Sequence, residues 1–145
     1  MRHEARMFLT TLCSIAAVAV STGSSFAQET KPSKAGGDAK VAPLMSKELA
    51  NLPGKEGLML TVEYAPGGSS APHRHNANTF VYVLEGSIEM QVAGGQLVKL
   101  GPGQTFYEGP DDVHSVSRNA SKTKKAKFVV VLLKDKGAPP VLPAQ

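Results

Sequence analysis

Three histidines carry most of the chemistry open to this sequence beyond its first 27 residues: His73, His75 and His114. His73 and His75 are two positions apart. On an extended strand that spacing turns both imidazoles to one face, and two imidazoles held by a stiff strand can chelate a metal ion. His114 follows much later, also beside a turn, and could come from a facing strand. The simpler reading stays open on spacing alone. Histidines two apart occur on surface strands by chance, and a lone buried histidine is usually only hydrogen-bonded in a core.

The start of the chain limits what else can react. Arg2 and Arg6 precede an apolar run from Met7 to Val20, and small residues follow up to Ser25-Phe26-Ala27. This is the pattern of a secretory signal cleaved after Ala27. It predicts a periplasmic or secreted product. The apolar run is shorter than the ~20 residues that cross a bilayer as a helix, so no stable membrane insertion is expected after cleavage. The only cysteine, Cys13, would leave with the signal. The remainder could form no disulfide and offer no thiolate. Its chemistry would rest on nitrogen and oxygen.

The formal charge of +4 is modest. The densest basic patch, Lys122, Lys124, Lys125 and Lys127, sits among Ser, Thr and Ala before an apolar strand. It lacks interleaved aromatics or a helix face, so it reads as a solvated turn and not as a nucleic-acid surface.

The elements that must position the histidines are strands. Residues 28–43 are polar, contain Gly and Pro, and lack apolar periodicity, which predicts a flexible leader. Lys47 to Asn51 could form one helical turn before Leu52-Pro53-Gly54. Strands are expected at Leu58–Tyr64, Thr79–Leu84, Ser87–Val92, Gln96–Leu100, Thr105–Glu108, Val113–Ser117 and Ala126–Leu133, broken by Gly, Pro and Asn turns. Gly137 to Gln145, with three prolines, is expected to be a tail. Many short strands at this spacing with no convincing helix indicate a β-sandwich or barrel. No long repeat and no phosphate-binding glycine loop is present. Asn119-Ala120-Ser121 fits a glycosylation acceptor, a triplet too common to carry weight.

The residues around the histidines add a second kind of information. Gly67, five residues, His73-Arg74-His75, three residues, Thr79, six residues and Gly86 resemble the first motif of the cupin superfamily. Gly103, five residues, Gly109 to His114 and then Asn119 resemble the second, with Ser87 to Pro102 as the joining hairpin. The resemblance is closest to small single-domain bacterial cupins of the cupin 2 type. It implies an all-β cupin barrel (a double-stranded β-helix or jelly roll) over residues 44–136, and a metal on His73, His75 and His114. The chain departs from the pattern at Gly109, where proline is usual, and at Asp111, where glycine is. More important is Thr79, which stands where such proteins carry a glutamate ligand.

A site of three neutral imidazoles would leave a divalent ion's charge uncompensated, able to attract anions and polarise a carbonyl or phenol. Imidazole does not choose among Fe, Zn, Mn, Ni and Cu. Asn78 and Glu108 carry oxygens that could act as ligands, but nothing in the spacing places them. Val81 and Val83 are expected to line an apolar pocket beside the ion. Phe80 and Tyr82 should face an opposite packing layer or a partner, plain core being the simpler reading. Arg74 should lie on the surface, and Arg118 should be solvated unless it meets an anionic substrate.

Three functions fit. One is a metal-dependent enzyme on a small organic substrate, with dioxygenase-like chemistry ahead of isomerisation or hydrolysis because no general base is evident beside the histidines. The others are a non-catalytic, metal-dependent protein binding a small anion or sugar, and a protein whose metal only stabilises the fold. A homodimer is a further expectation, since barrels often hide an edge against a second subunit.

Overall fold

A computed structural model describes residues 39–144 of the chain. The expected signal segment with Cys13, and the first part of the expected leader, lie outside these residues. Eleven strands form: β1 Ala39–Glu48, β2 Lys55–Tyr64, β3 Ser69–Ser70, β4 His73–Arg74, β5 Asn78–Glu85, β6 Ile88–Val92, β7 Val98–Leu100, β8 Thr105–Glu108, β9 Val113–Asn119, β10 Ala126–Asp135 and β11 Leu142–Pro143.

The strands build two sheets, β1-β2-β10-β5-β8 and β11-β4-β9-β6-β7, with β3 added beside β9. Non-consecutive neighbours and antiparallel ladders throughout make this a double-stranded β-helix, as the strand pattern and motifs predicted. Among the described residues no helix occurs.

Period-two alternation decides which side chains meet between the sheets. In β10, Ala126, Phe128, Val130 and Leu132 point inward and are buried. Opposite them stand Tyr64, Val62, Leu60 and Leu58 of β2, and Val83, Val81 and Thr79 of β5. The second sheet contributes Ile88, Met90 and Leu100. Burying a side chain of this size is worth about 1.5–3 kcal/mol, so the core rests on a few alternating strands.

Three expectations are corrected here. Residues 39–43 are not part of a flexible leader, and Lys47 and Glu48 do not begin a helical turn; all belong to β1, which pairs with β2 along its length. The strand sits on the sheet edge, so its outer backbone groups need no partner. Its Pro43 falls where the register shifts, one of the few strand positions that tolerates a residue without an N–H. Phe80 and Tyr82 are not core either. Both are about half exposed, together with Leu84 and Tyr107. Phe80 packs on Tyr107 at 5.3 Å between ring centroids, leaving a shallow apolar face over β5, β8 and β10.

Two backbone positions let the chain pass between sheets, one directly after His75 and one at the far end of β5. Asn76 takes φ 47° directly after His75, a left-handed conformation that Asn tolerates better than most residues. Gly86 takes φ 73°, and a Cβ there would lie 2.3 Å from the Lys125 carbonyl oxygen. Only glycine fits that turn.

The tail is more structured than its prolines suggested. Leu142 and Pro143 pair with β4. Upstream, the buried Lys134 donates from Nζ to Glu56 and to the Ala138 carbonyl, which fixes the start of the tail against the barrel.

Candidate metal centre

His73 on β4 faces His114 on β9 as a direct cross-strand pair. His75 follows at the end of the same short strand. Together the three place one ring nitrogen each within 4.8 Å of one another. The spacing of two brings His73 and His75 to one face, as anticipated, with their rings 4.8 Å apart and nearly perpendicular. His75 and His114 are buried and His73 is half-buried.

The backbone orients two of these rings. His73 Nδ1 donates to the Ala71 carbonyl at 2.7 Å, and His75 Nδ1 donates to the Pro140 carbonyl at 2.6 Å. A carbonyl can only accept, so each Nδ1 carries the hydrogen and each Nε2 keeps its lone pair. A backbone acceptor behind a metal-binding histidine is the usual way of fixing tautomer and ring direction. Burial holds His73 below the ordinary imidazole value, against the opposing pull of the Ala71 carbonyl. That favours the neutral form a ligand needs. His114 is held by packing: its ring stacks on Phe106 at 5.9 Å.

From the opposite sheet, Thr79 on β5 faces Glu108 on β8. Both are essentially inaccessible to solvent. Glu108 Oε2 approaches His114 Nδ1 to 3.0 Å and His75 Nε2 to 3.6 Å. The sequence did not place this carboxylate beside the histidines. The only hint was alternation in Thr105–Glu108, which turns Phe106 and Glu108 to the same side. Burial alone would raise the Glu108 carboxyl, but its contact with His114 and the nearby His75 and His73 outweigh this and hold it below the usual carboxylate value. The expectation that no acid–base group stands beside the histidines is therefore corrected.

Whether these residues suit a divalent ion is answered by their unmet valences. Glu108 Oε2, Thr79 Oγ1 and both ring nitrogens of His114 are buried and have no hydrogen-bond partner among the described residues. Orphaned buried polar atoms are rare because each costs about 1–3 kcal/mol. Of these, Glu108 Oε2 lies beside His114 and the free Nε2 of His75. The three imidazoles, each offering one nitrogen, fit a divalent ion.

The histidines and Glu108 form part of the wall of a cavity of about 550 Å³ between the sheets. Most of that wall is apolar, including Leu60, Val62, Val81, Met90 and Phe128; Val83 is buried but does not line it. Tyr64 supplies a separate polar point: its hydroxyl lies 2.7 Å from both Ser70 and Ser117 hydroxyls. Burial raises its phenol above the ordinary value, so it stays protonated. Pro139 to Pro143 of the tail line the cavity as well.

Other sequence candidates fall outside the site. Arg118 is exposed and paired with Glu89 at 2.7 Å. Asn78 accepts from the Tyr107 hydroxyl at the exposed face. Asn119 is buried and fully used, donating to the Ala65 and Lys124 carbonyls and accepting from the Ser121 N–H, so the glycosylation triplet is closed. Arg74 is half-buried, not surface-exposed, and its Nε has no hydrogen-bond partner among the described residues.

Comparison with known proteins agrees with this architecture. Among curated proteins no match was found. Solved structures give many. The chain is similar to the polyketide cyclase RemF from Streptomyces resistomycificus, at 23% identity over 74% of this chain and 72% of that one, with a TM-score of 0.57. It is similar to an RmlC-like cupin from Shewanella frigidimarina, at 18% identity over 78% and 91% of the two chains and a TM-score of 0.57. A predicted oxalate decarboxylase from Thermotoga maritima aligns at 24% identity over 68% and 84%, again with a TM-score of 0.57. At these identities the likeness bears on the fold. The family model described as "Cupin domain" matches residues 60–132, a span that holds both motifs, all three histidines and Glu108. The chain belongs to the cupin domain family.

Proposed function

We propose that this cupin binds a divalent metal ion on His73, His75 and His114 and uses it on a small organic molecule held in the apolar cavity, with oxygenation as the reaction. The observation that carries this reading is the pair of backbone-fixed tautomers: His73 and His75 keep Nε2 free, within reach of His114, in the wall of a largely apolar cavity. The ion would supply Lewis acidity or redox chemistry when bound. The chain's own residues do the rest. The apolar wall selects a largely nonpolar molecule and excludes water from it. The Tyr64 hydroxyl, kept protonated, can donate to or accept from a polar substituent of that molecule.

We further propose that the protein is exported after cleavage at Ala27 and works as a homodimer through the outer face of β5 and β8. The dimer reading rests on Phe80, Tyr82, Leu84 and Tyr107, which form one exposed apolar strip without charges among them. Such a strip is best matched by an equally apolar surface, which a twofold copy of itself provides.

The test of function is metal content of protein purified from its native compartment, followed by oxygen uptake against catechols, diketones and thiols. Stoichiometric metal with uptake on one class supports oxygenation. Bound metal with no uptake on any class would leave a binding protein, and absence of metal would remove the reading altogether.

A further inference from the structure

We infer that Glu108 is itself a ligand of the ion, replacing from β8 the carboxylate that Thr79 does not provide from β5. The inference rests on the metal-binding reading above. It goes beyond that reading by changing the ligand set, its charge and the residue that carries it.

The register supplies the first reason. Thr79 and Glu108 are directly opposed across an antiparallel pair, and opposed residues project to the same face about 5 Å apart. A carboxylate moved from one position to the other therefore still enters the same space. Burial supplies the second. Thr79 and Glu108 are both closed off from solvent, and a carboxylate is almost never fully buried unless paired or bound to a metal.

The third reason is how Glu108 meets its neighbours. Its Oε2 lies 3.0 Å from His114 Nδ1 and 3.6 Å from His75 Nε2, yet neither contact counts as a hydrogen bond, and among the described residues Glu108 Oε2 and both His114 nitrogens have no hydrogen-bond partner. Two ligand atoms each ~2.1 Å from one ion, at angles between right and tetrahedral, are about 3.0–3.4 Å apart. The 3.0 Å spacing to His114 falls in that range, and the 3.6 Å spacing to His75 lies slightly beyond it. In the neutral tautomer that the Pro140 carbonyl selects, His75 Nε2 carries no hydrogen to donate to Glu108.

The consequence for chemistry is a change of charge. A divalent ion on three imidazoles keeps its full charge, whereas one with Glu108 keeps half. The site should then hold neutral or singly charged oxygen donors without trapping ambient anions. It also removes Glu108 from the list of free general bases, which favours reactions whose chemistry the ion supplies.

The experiment titrates Co²⁺ into metal-free protein, following affinity by calorimetry and ligand field by visible absorption. Four proteins are compared: wild type, Glu108→Gln, Thr79→Glu, and the exchanged Thr79→Glu/Glu108→Thr. Glu108→Gln preserves shape and the ability to accept from His114, so a role confined to orienting that ring survives it. As a ligand, Glu108 predicts at least a ~10-fold loss of affinity and a shifted spectrum in Glu108→Gln. It also predicts recovery of both in the exchanged protein, where the pair carries its carboxylate on the other strand. Thr79→Glu alone should gain less than the exchange recovers, since two carboxylates would compete for one position. Wild-type binding with Glu108→Gln unchanged in affinity and spectrum would overturn this inference and leave the three-histidine site standing. Failure of the wild type to bind any Co²⁺ would overturn both.

Discussion

Thr79 and Glu108 face each other across β5 and β8, while His73 and His114 face each other across β4 and β9 in the other sheet. The candidate centre is thus assembled from two cross-strand pairs, one from each sheet, with His75 added where the chain turns from β4 toward β5. An arrangement of this kind depends on register. A slip of one residue in either pair would turn its side chains to the opposite face. The apolar alternation of β5 and β10 fixes the register of the sheet that carries Glu108, so ordinary core packing also sets the site.

Replacing any one of His73, His75 or His114 with Ala should lower divalent metal affinity by at least ~10-fold. A His3→Ala change should leave it untouched, because that residue belongs to the expected signal. Calorimetric titration of the purified proteins checks this. Wild-type affinity in His114→Ala would show that the three-histidine site is wrong.

The histidine half of the centre was legible in the sequence because strand periodicity acts locally: residues two apart share a face wherever the backbone is extended. The motif spacing then tied His114 to the same region. Glu108 could be named with Asn78 as a possible oxygen ligand but not placed, because its position depends on the β5–β8 register, which no local pattern encodes. Strand β1 was missed for a similar reason. Ala39 to Glu48 has Pro43 in its middle and no regular apolar alternation, and it is a strand chiefly because β2 offers an edge to pair with. Phe80 and Tyr82 show that alternation gives facing without exposure. Their outward direction could be read from the sequence, but the absence of a covering layer could not.

Putting charge on the outer face should separate the proposed dimer. Phe80→Lys/Tyr82→Lys replaces two half-exposed aromatics with residues that cannot be buried unpaired. Sedimentation velocity should find a dimer for the wild type and a monomer for the variant, with metal binding unchanged. A monomeric wild type would reject the dimer and leave the fold and the site as they are.

Export predicts a mature N-terminus at Gln28, since Ser25-Phe26-Ala27 presents small residues at both positions read by the cleavage enzyme. Intact mass of the protein from a periplasmic fraction is the measurement. A mass that includes residues 1–27 would show that the segment is retained.

Acid should weaken the fold through Glu56. Its carboxyl lies below the usual carboxylate value, chiefly because it accepts from Lys134, with burial opposing. A group whose folded value is depressed contributes stability above its unfolded value and loses it as pH falls through the folded value. The relevant window is therefore below about pH 4.5. Lys134→Met should remove that contribution and lower stability near neutral pH by about 1–3 kcal/mol, as buried hydrogen bonds to Glu56 and Ala138 are lost. Urea unfolding at pH 7 and pH 4 checks the sign: the gap between wild type and variant should narrow in acid, and a gap that widens would contradict the assignment.

The tail offers the last test, because it links a distant ion pair to the centre. Lys134 holds the Ala138 carbonyl at 2.6 Å, and two residues later the Pro140 carbonyl accepts from His75 Nδ1 at 2.6 Å. Leu142 and Pro143 then pair with β4, opposite Arg74 and His73. Deleting residues 139–145 would leave the barrel strands β1 to β10 in place and remove the acceptor that fixes the tautomer of His75. Loss of a partner behind a metal-binding histidine typically costs 10–100-fold in affinity, so metal titration should show a loss in that range while β-sheet circular dichroism persists. The same deletion removes several residues from the cavity wall, which should raise binding of a hydrophobic dye. The two readouts separate the roles: dye binding that rises with unchanged metal affinity would make the tail a cover only, with no part in orienting His75.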